Sequence, residues 1–336
     1  MSNAHPHYYA SSCQQRQADE SAIATRWIRT PPKLLRSSPS IAQPVSLLRL
    51  IFDGLSLLLM LSTWLIFKYI VRPVRRPFLC SDLNLYHPKP PHNVFPTWLL
   101  FVCAVIVPVV FILLSESVRW FYLTRRKSVR AVYRLRFRSN IYNVSQLIGN
   151  LYIVIGIFAF ANAINSFLTN VGKVSYGRQR PHFIPSCFNK TTYKDFCADP
   201  TLWIVNYTCI GESSAIFVEK DGAFDIRQSF PSGHSSTAFC GLIFLALYVH
   251  RAWKNRNLGF IRYFVETCCF ALAAYIGITR ITDNRHHPTD VLAGAILGTG
   301  IAIIAFRYML HCLKQTAPID LENESFREQT DIESQY

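Results

Sequence analysis

Apolar residues in this chain gather into six long runs, separated by polar, basic or cysteine-bearing stretches. A helix that crosses a bilayer needs about 20 mostly apolar residues. Runs near 49–71, 95–114, 146–169, 235–249, 261–278 and 291–310 fit or approach that length. The third is the clearest, because no charged residue occurs from Ser139 to Gly172, and the second contains the uncharged stretch WLLFVCAVIVPVVFILL. The first, fifth and sixth carry Asp53, Lys68, Arg262, Glu266 and Arg307 near their ends. Long basic side chains snorkel to the interface, and Arg262 with Glu266 has helical i,i+4 spacing. The pattern predicts an all-α polytopic membrane protein, with six transmembrane helices in a compact bundle. Residues 1–46, polar and rich in Ser, Pro and Gln, read as a flexible tail; 47–312 form the six-span domain; 313–336 form an acidic tail. The first apolar run begins too far into the chain for a cleaved signal peptide and reads as an anchor.

The basic residues orient the spans. Arg119, Arg125, Arg126, Lys127, Arg130, Arg134, Arg136 and Arg138 lie between spans two and three, opposed only by Glu116. Arg251, Lys254, Arg256 and Arg262 lie between spans four and five. With six spans these segments share a side with both termini, which are therefore expected in the cytoplasm. Arg72, Arg75 and Arg76, after span one, run against this rule. The loop 173–231 then faces away from the cytoplasm. It holds two glycosylation sequons, at Asn189 and Asn206, and three cysteines, Cys187, Cys197 and Cys209, with Cys80 on the same side. Four cysteines in an oxidising compartment allow two disulfides, whose pairing the sequence leaves open.

Composition changes one conclusion. The 35 Lys and Arg against 20 Asp and Glu give a net charge of +15, a balance that suits nucleic-acid binding. Yet half the residues are hydrophobic and only 16% charged, below the roughly 25% of soluble domains. Most of the excess charge is an orientation signal, and no nucleic-acid partner is expected.

Polar residues at the span ends carry the chemistry. Lys173, Arg178, Arg180 and Pro181 follow span three; Ser229 to Ser235 precede span four; Arg280 follows span five, and Arg285, His286, His287, Pro288, Thr289 and Asp290 open span six. All fall on one extracytoplasmic face. Arginine forks and a lysine bind phosphate oxygens, and Gly233 at a helix start lets backbone N–H groups approach an anion. A histidine held by a carboxylate can act as a nucleophile, and a second histidine can protonate a leaving alkoxide. Each residue alone has a plainer reading, as interfacial anchor, helix cap or surface group. Arg178, Arg285 and His287 keep that reading here, as solvated charges or neighbours of the working residues.

Three motifs in this arrangement resemble those of the lipid phosphate phosphatases in the type 2 phosphatidic acid phosphatase superfamily. They are Lys173 to Arg180-Pro181, Pro231-Ser232-Gly233-His234, and Thr279-Arg280 with His286 and Asp290. Thr279 stands where the family usually has Ser, which keeps a hydroxyl. The resemblance covers roughly residues 47–312. It implies a metal-independent phosphatase without cofactors, in which His286 attacks phosphorus to form a phosphohistidine, oriented by Asp290. His234 would protonate the lipid alkoxide and then activate water. Lys173, Arg180, Arg280, Ser232 and Gly233 would hold the phosphoryl oxygens. The implied substrates are phosphatidic acid, lysophosphatidic acid, ceramide-1-phosphate and sphingosine-1-phosphate, presented from the bilayer.

Competing readings are an isoprenoid diphosphate phosphatase, a non-catalytic membrane scaffold of the same fold, and a transporter or channel. The plasma membrane is the expected location, an endomembrane the alternative. Homo-oligomerisation is left open.

Overall fold

The computed structural model describes residues 45–88, 92–125, 131–137, 140–189, 193–195, 197–210, 212, 222–253, 259–315 and 319–320. The tail before residue 45 and the acidic segment after Asp320 lie outside the described residues.

Six helices are long and apolar enough to cross a membrane: Leu47–Tyr69, Thr97–Tyr122, Gln146–Tyr176, Gly233–Ala252, Ile261–Thr282 and Pro288–Cys312, here spans one to six. The chain is a multi-pass membrane protein. Ser46, Ser145 and Ser232 cap spans one, three and four by accepting the N–H groups of Arg49, Ile148 and Ser235, which satisfies donors that a helix start leaves orphaned. Gly177, with φ at 59°, ends span three in the left-handed conformation. A side chain there would also collide with the carbonyl oxygen of Val74. The helices outrun the apolar runs, because a helix satisfies its own backbone whatever its side chains are. Lys173, His234 and Arg280 thus lie inside terminal helical turns rather than just beyond them, and Asp290 lies in the first turn of span six, as expected.

Span four is the most buried helix, whereas span one has no buried residue. The core around span four includes Ala104, Ile112, Val154, Phe158, Ala238, Leu242, Phe244, Ala273, Ile276 and Ala302. Span two contains a π turn at Val102–Ile106. A side chain at Gly241 would run into the carbonyl oxygen of Ala104 in that turn, so glycine lets spans two and four approach closely, as small residues do between membrane helices.

Strands at both ends of the bundle were not anticipated. Among the described residues these are β1 (Val45–Ser46), β2 (Phe78–Leu79), β3 (Ala131–Phe137), β4 (Asn140–Ser145), β5 (Trp203–Ile204) and β6 (Ile319–Asp320). β3 pairs antiparallel with β4 and β6 and parallel with β1. The alternating sequence Val132-Tyr133-Arg134-Leu135-Arg136-Phe137 has the period of a strand, which a reading that counted only its arginines passes over. One sheet thus joins the entry to span one, the segment between spans two and three, and the segment after span six. Those three segments share one end of the bundle, as an even number of spans requires. Beneath the sheet, buried Glu116 accepts hydrogen bonds from Tyr248 at 2.8 Å and Asn150 at 3.1 Å, and Asn150 accepts one from Tyr133 at 2.6 Å.

At the other end, the described residues of segments 72–96 and 177–232 form a loop layer. β2 pairs antiparallel with β5, and Phe78, Phe183, Phe188 and Tyr207 make a buried aromatic cluster. Disulfides join Cys80 to Cys197 and Cys187 to Cys209, settling the pairing that the sequence left open. The layer also accounts for the three arginines that run against the charge rule. Arg75 pairs with Glu212 at 2.7 Å, and Arg72 and Arg76 lie over the rings of Phe224 and Tyr176. Arg72 and Arg75 are engaged within the loop layer, and Arg76 by the last residue of span three beneath it.

Candidate active site

The polar ends of spans three to six converge under the loop layer. Lys173 and Gly233 are neighbours: a carbon attached at position 233 would lie 3.5 Å from the Lys173 ammonium and 3.8 Å from a methyl carbon of Thr169. Glycine therefore leaves room beside the cation at the start of span four. Ser232 is fully buried, caps that helix, and donates its backbone N–H to the Asp290 carbonyl at 3.0 Å. The second and third motifs are thereby stitched together through the backbone.

Three arginines of the site, Arg178, Arg180 and Arg280, each rest on an aspartate. Arg180 binds Asp225 through Nη2 at 2.7 Å and its carbonyl through Nε at 2.9 Å. Arg280 binds Asp283 at 2.9 Å and the Thr279 hydroxyl at 3.1 and 3.2 Å. Arg178 binds Asp290 at 2.6 Å and the Thr289 hydroxyl at 2.8 Å. Arg180 and Arg280 are almost wholly buried, and buried cations need such partners. Planar guanidinium forks held this way are pre-organised for an oxyanion.

The two motif histidines differ in their surroundings. His286 is buried, and its Nδ1 lies 2.6 Å from the carbonyl oxygen of Ser229. A carbonyl only accepts, so Nδ1 carries the proton and Nε2 keeps its lone pair. Burial, then the cations Arg180 and Lys173, hold this imidazole well below its ordinary titration range. It is neutral, as a nucleophile must be. The Nε2 atom of His234 is buried and has no hydrogen-bond partner in the structure. Such an atom is costly unless a ligand completes it.

One expected relationship takes a different form. The resemblance had Asp290 orient His286, but the closest approach between Asp290 Oδ2 and His286 Nδ1 is 4.0 Å, beyond hydrogen-bond reach. The fully buried Asp290 carboxylate instead accepts from Arg178, from the Ser229 hydroxyl at 2.6 Å, and from the backbone N–H and Nδ1 of His287 at 3.0 and 3.2 Å. The i,i+4 spacing puts Asp290 near His286, but Ser229 stands closer to both. Arg178 and His287, read as solvated or neighbouring charges, are direct partners of Asp290. Ser229 carried no signal beyond lying two residues before Pro231.

Asn189 and Asn206 are both exposed in the loop layer. Among the described residues, no group of three or more His, Cys, Asp or Glu is placed to hold a metal ion.

The fold and site define a polytopic membrane protein with buried histidines and cations gathered at one end of its bundle. Residues 154–313 match the model of the PAP2 superfamily. A Drosophila melanogaster protein provisionally named a phosphatidate phosphatase is 30% identical over 262 residues, covering 76% of this chain and 68% of its own. Phospholipid phosphatase 2 of Bos taurus is 30% identical over 270 residues, covering 80% and 85% respectively. Phospholipid phosphatase 1 of Rattus norvegicus is 29% identical over 244 residues, covering 73% and 78%. No solved structure matches the chain significantly. The chain belongs to the PAP2 superfamily and is a membrane phosphatase.

Proposed function

We propose that this protein removes phosphate from lipid phosphate monoesters such as phosphatidic acid, lysophosphatidic acid, ceramide-1-phosphate and sphingosine-1-phosphate, without a metal ion. The observation that carries the reading is the buried, neutral His286 imidazole, anchored through Nδ1 with Nε2 unprotonated, within electrostatic reach of Lys173, Arg180 and His234. The names of the relatives, a phosphatidate phosphatase and two phospholipid phosphatases, support the lipid substrate class.

In the proposed reaction the Nε2 lone pair attacks phosphorus, forming an N–P bond as the ester P–O bond breaks. Protonated His234 gives its proton to the departing alkoxide. Water then attacks the phosphohistidine, losing a proton to His234, and the N–P electron pair returns to His286. Lys173, Arg180 and Arg280 carry the charge on the equatorial oxygens, and the N–H groups at the start of span four add to it. Ser232 acts there chiefly as the cap that holds this turn.

The site is assigned to the extracytoplasmic face, with both termini in the cytoplasm. The basic segments between spans, the disulfide pairs and the exposed sequons support that orientation. The plasma membrane is the proposed location. Glycosidase treatment should shift the mobility of the wild type but not of an Asn189→Gln/Asn206→Gln double variant; a wild type that never shifts argues against the orientation.

The substrate reading is tested with purified protein in EDTA, assayed across lipid monophosphates and isoprenoid diphosphates. Phosphate release from the monophosphates is expected. Turnover confined to the diphosphates would replace the substrate class, and a strict requirement for Mg²⁺ would overturn the mechanism.

A further inference from the structure

The side chains behind His286 form a chain of contacts that the three motifs do not include. Ser229 is wholly buried and held at three points. Its N–H donates to the Arg178 carbonyl at 3.0 Å, its hydroxyl donates to Asp290 Oδ2 at 2.6 Å, and its carbonyl accepts from His286 Nδ1 at 2.6 Å. Arg178 holds the other end twice, through that carbonyl and through Nη1 on Asp290 Oδ1 at 2.6 Å. Asp290, with no exposed surface, thus has one oxygen on Arg178 and the other on Ser229 and His287.

Resting on the mechanism proposed above, we propose that Arg178 and Ser229 are positioning residues for the nucleophile. Arg178 fixes Asp290, Asp290 fixes the Ser229 hydroxyl, and the Ser229 carbonyl fixes the imidazole with Nε2 turned to the phosphorus. The arrangement differs from a direct carboxylate–histidine pair in its chemistry. A neutral carbonyl selects the tautomer and the ring angle. The carboxylate stays 4.0 Å away, where it stabilises positive charge on the imidazole as the N–P bond forms but is too distant to take the Nδ1 proton. Bond-making and bond-breaking are those of the proposed reaction; neither Arg178 nor Ser229 gains or loses a proton. Arg178 Nη1 alone donates to both Thr289 and Asp290, so lysine at 178 keeps the charge and a donor but loses the fixed planar geometry that places it.

A misplacement of about 1 Å in a reacting group costs on the order of 100-fold in rate. Arg178→Ala and Ser229→Ala should each lower kcat by about that factor with KM within about twofold of wild type, and Arg178→Lys should restore part of the loss. The double variant should be no slower than the worse single one, since both break the same chain. Monodispersity in detergent and the melting temperature monitor folding, and Ser229→Ala serves independently because it deletes one oxygen and keeps the carbonyl. Multiplicative losses in the double variant would overturn the proposal. So would a wild-type kcat in both single variants, or a rise in KM alone in Arg178→Ala, which would make Arg178 a substrate ligand. His286→Ala in the same series separates the two readings: if it is active, the nucleophile assignment fails; if it is inactive while Arg178→Ala and Ser229→Ala are normal, only the positioning role fails.

Discussion

His286 Nδ1 lies 2.6 Å from the carbonyl oxygen of Ser229, and that contact leaves Nε2 as the unprotonated ring nitrogen. Replacing His286 with Ala should abolish phosphate release, with a loss on the order of 10⁴-fold or more, as for other nucleophiles that act within a unit. His286→Gln should be equally inactive, because an amide cannot form the phosphoenzyme. Initial-rate assays in EDTA check both; more than a few per cent of wild-type rate in either would remove His286 from the reaction.

Acid sensitivity of the fold follows from the buried histidines. Burial pushes His182 down from 6.5 to about 4, although its Nδ1 contacts the Asn284 carbonyl at 2.8 Å and the contact favours the charged form. Burial and neighbouring cations hold His286 low as well. In both cases the native state is the neutral one. Below about pH 6.5 the unfolded chain takes up protons that the native chain refuses, so stability falls as pH falls. His182 alone would account for about 3 kcal/mol by pH 4. Thermal inactivation measured from pH 7.5 to 4.5 should show the decline, and His182→Gln should flatten part of it. A melting temperature that rises on acidification would contradict the neutral assignment.

The disulfides close loops of different lengths, with separations of 117 residues for Cys80–Cys197 and 22 for Cys187–Cys209. Chain-entropy reasoning assigns them roughly 5 and 3 kcal/mol. Cys80→Ser/Cys197→Ser should therefore destabilise the loop layer more than Cys187→Ser/Cys209→Ser. Activity should fall in both, because Arg180 and Ser229 depend on this layer for their backbone contacts. Peptide mapping without reduction checks the pairing, and melting temperatures check the order.

Glu116 offers a control at the opposite end of the bundle. Glu116→Leu would strand the Tyr248 hydroxyl and the Asn150 amide, each at a cost of about 1–3 kcal/mol. Glu116→Gln keeps one acceptor and should cost less. The melting temperature should drop in that order while turnover per folded molecule stays unchanged. A selective loss of turnover would mean that this network couples to the active site.

Much of this was legible in the chain. The six runs gave the spans because bilayer thickness imposes a length that few soluble segments meet. Lys173, Arg180, His234, Arg280, His286 and Asp290 stood out because three clusters of cations, histidines and a carboxylate fall at span ends on one face, an inventory that suits a phosphate ester. The helices' extra turns were not legible, since a polar residue at a helix end breaks the apolar run without breaking the helix. β3 and its partners were hidden by an arginine-rich sequence whose alternation matters more than its charge. Ser229 was invisible for a different reason: its contribution is a backbone carbonyl, which any residue type supplies. The pairing of Arg178 with Asp290 was equally hidden, because it joins the segment after span three to span six across residues far apart in the chain.

The central claim is a phosphoryl group carried on His286. The most direct measurement is rapid alkaline quench of the enzyme with phosphorus-labelled phosphatidic acid, followed by peptide mapping. The account predicts an alkali-stable, acid-labile label on His286 that appears before steady state and is absent in His286→Ala. Label on another residue, or turnover by His286→Ala, would contradict it.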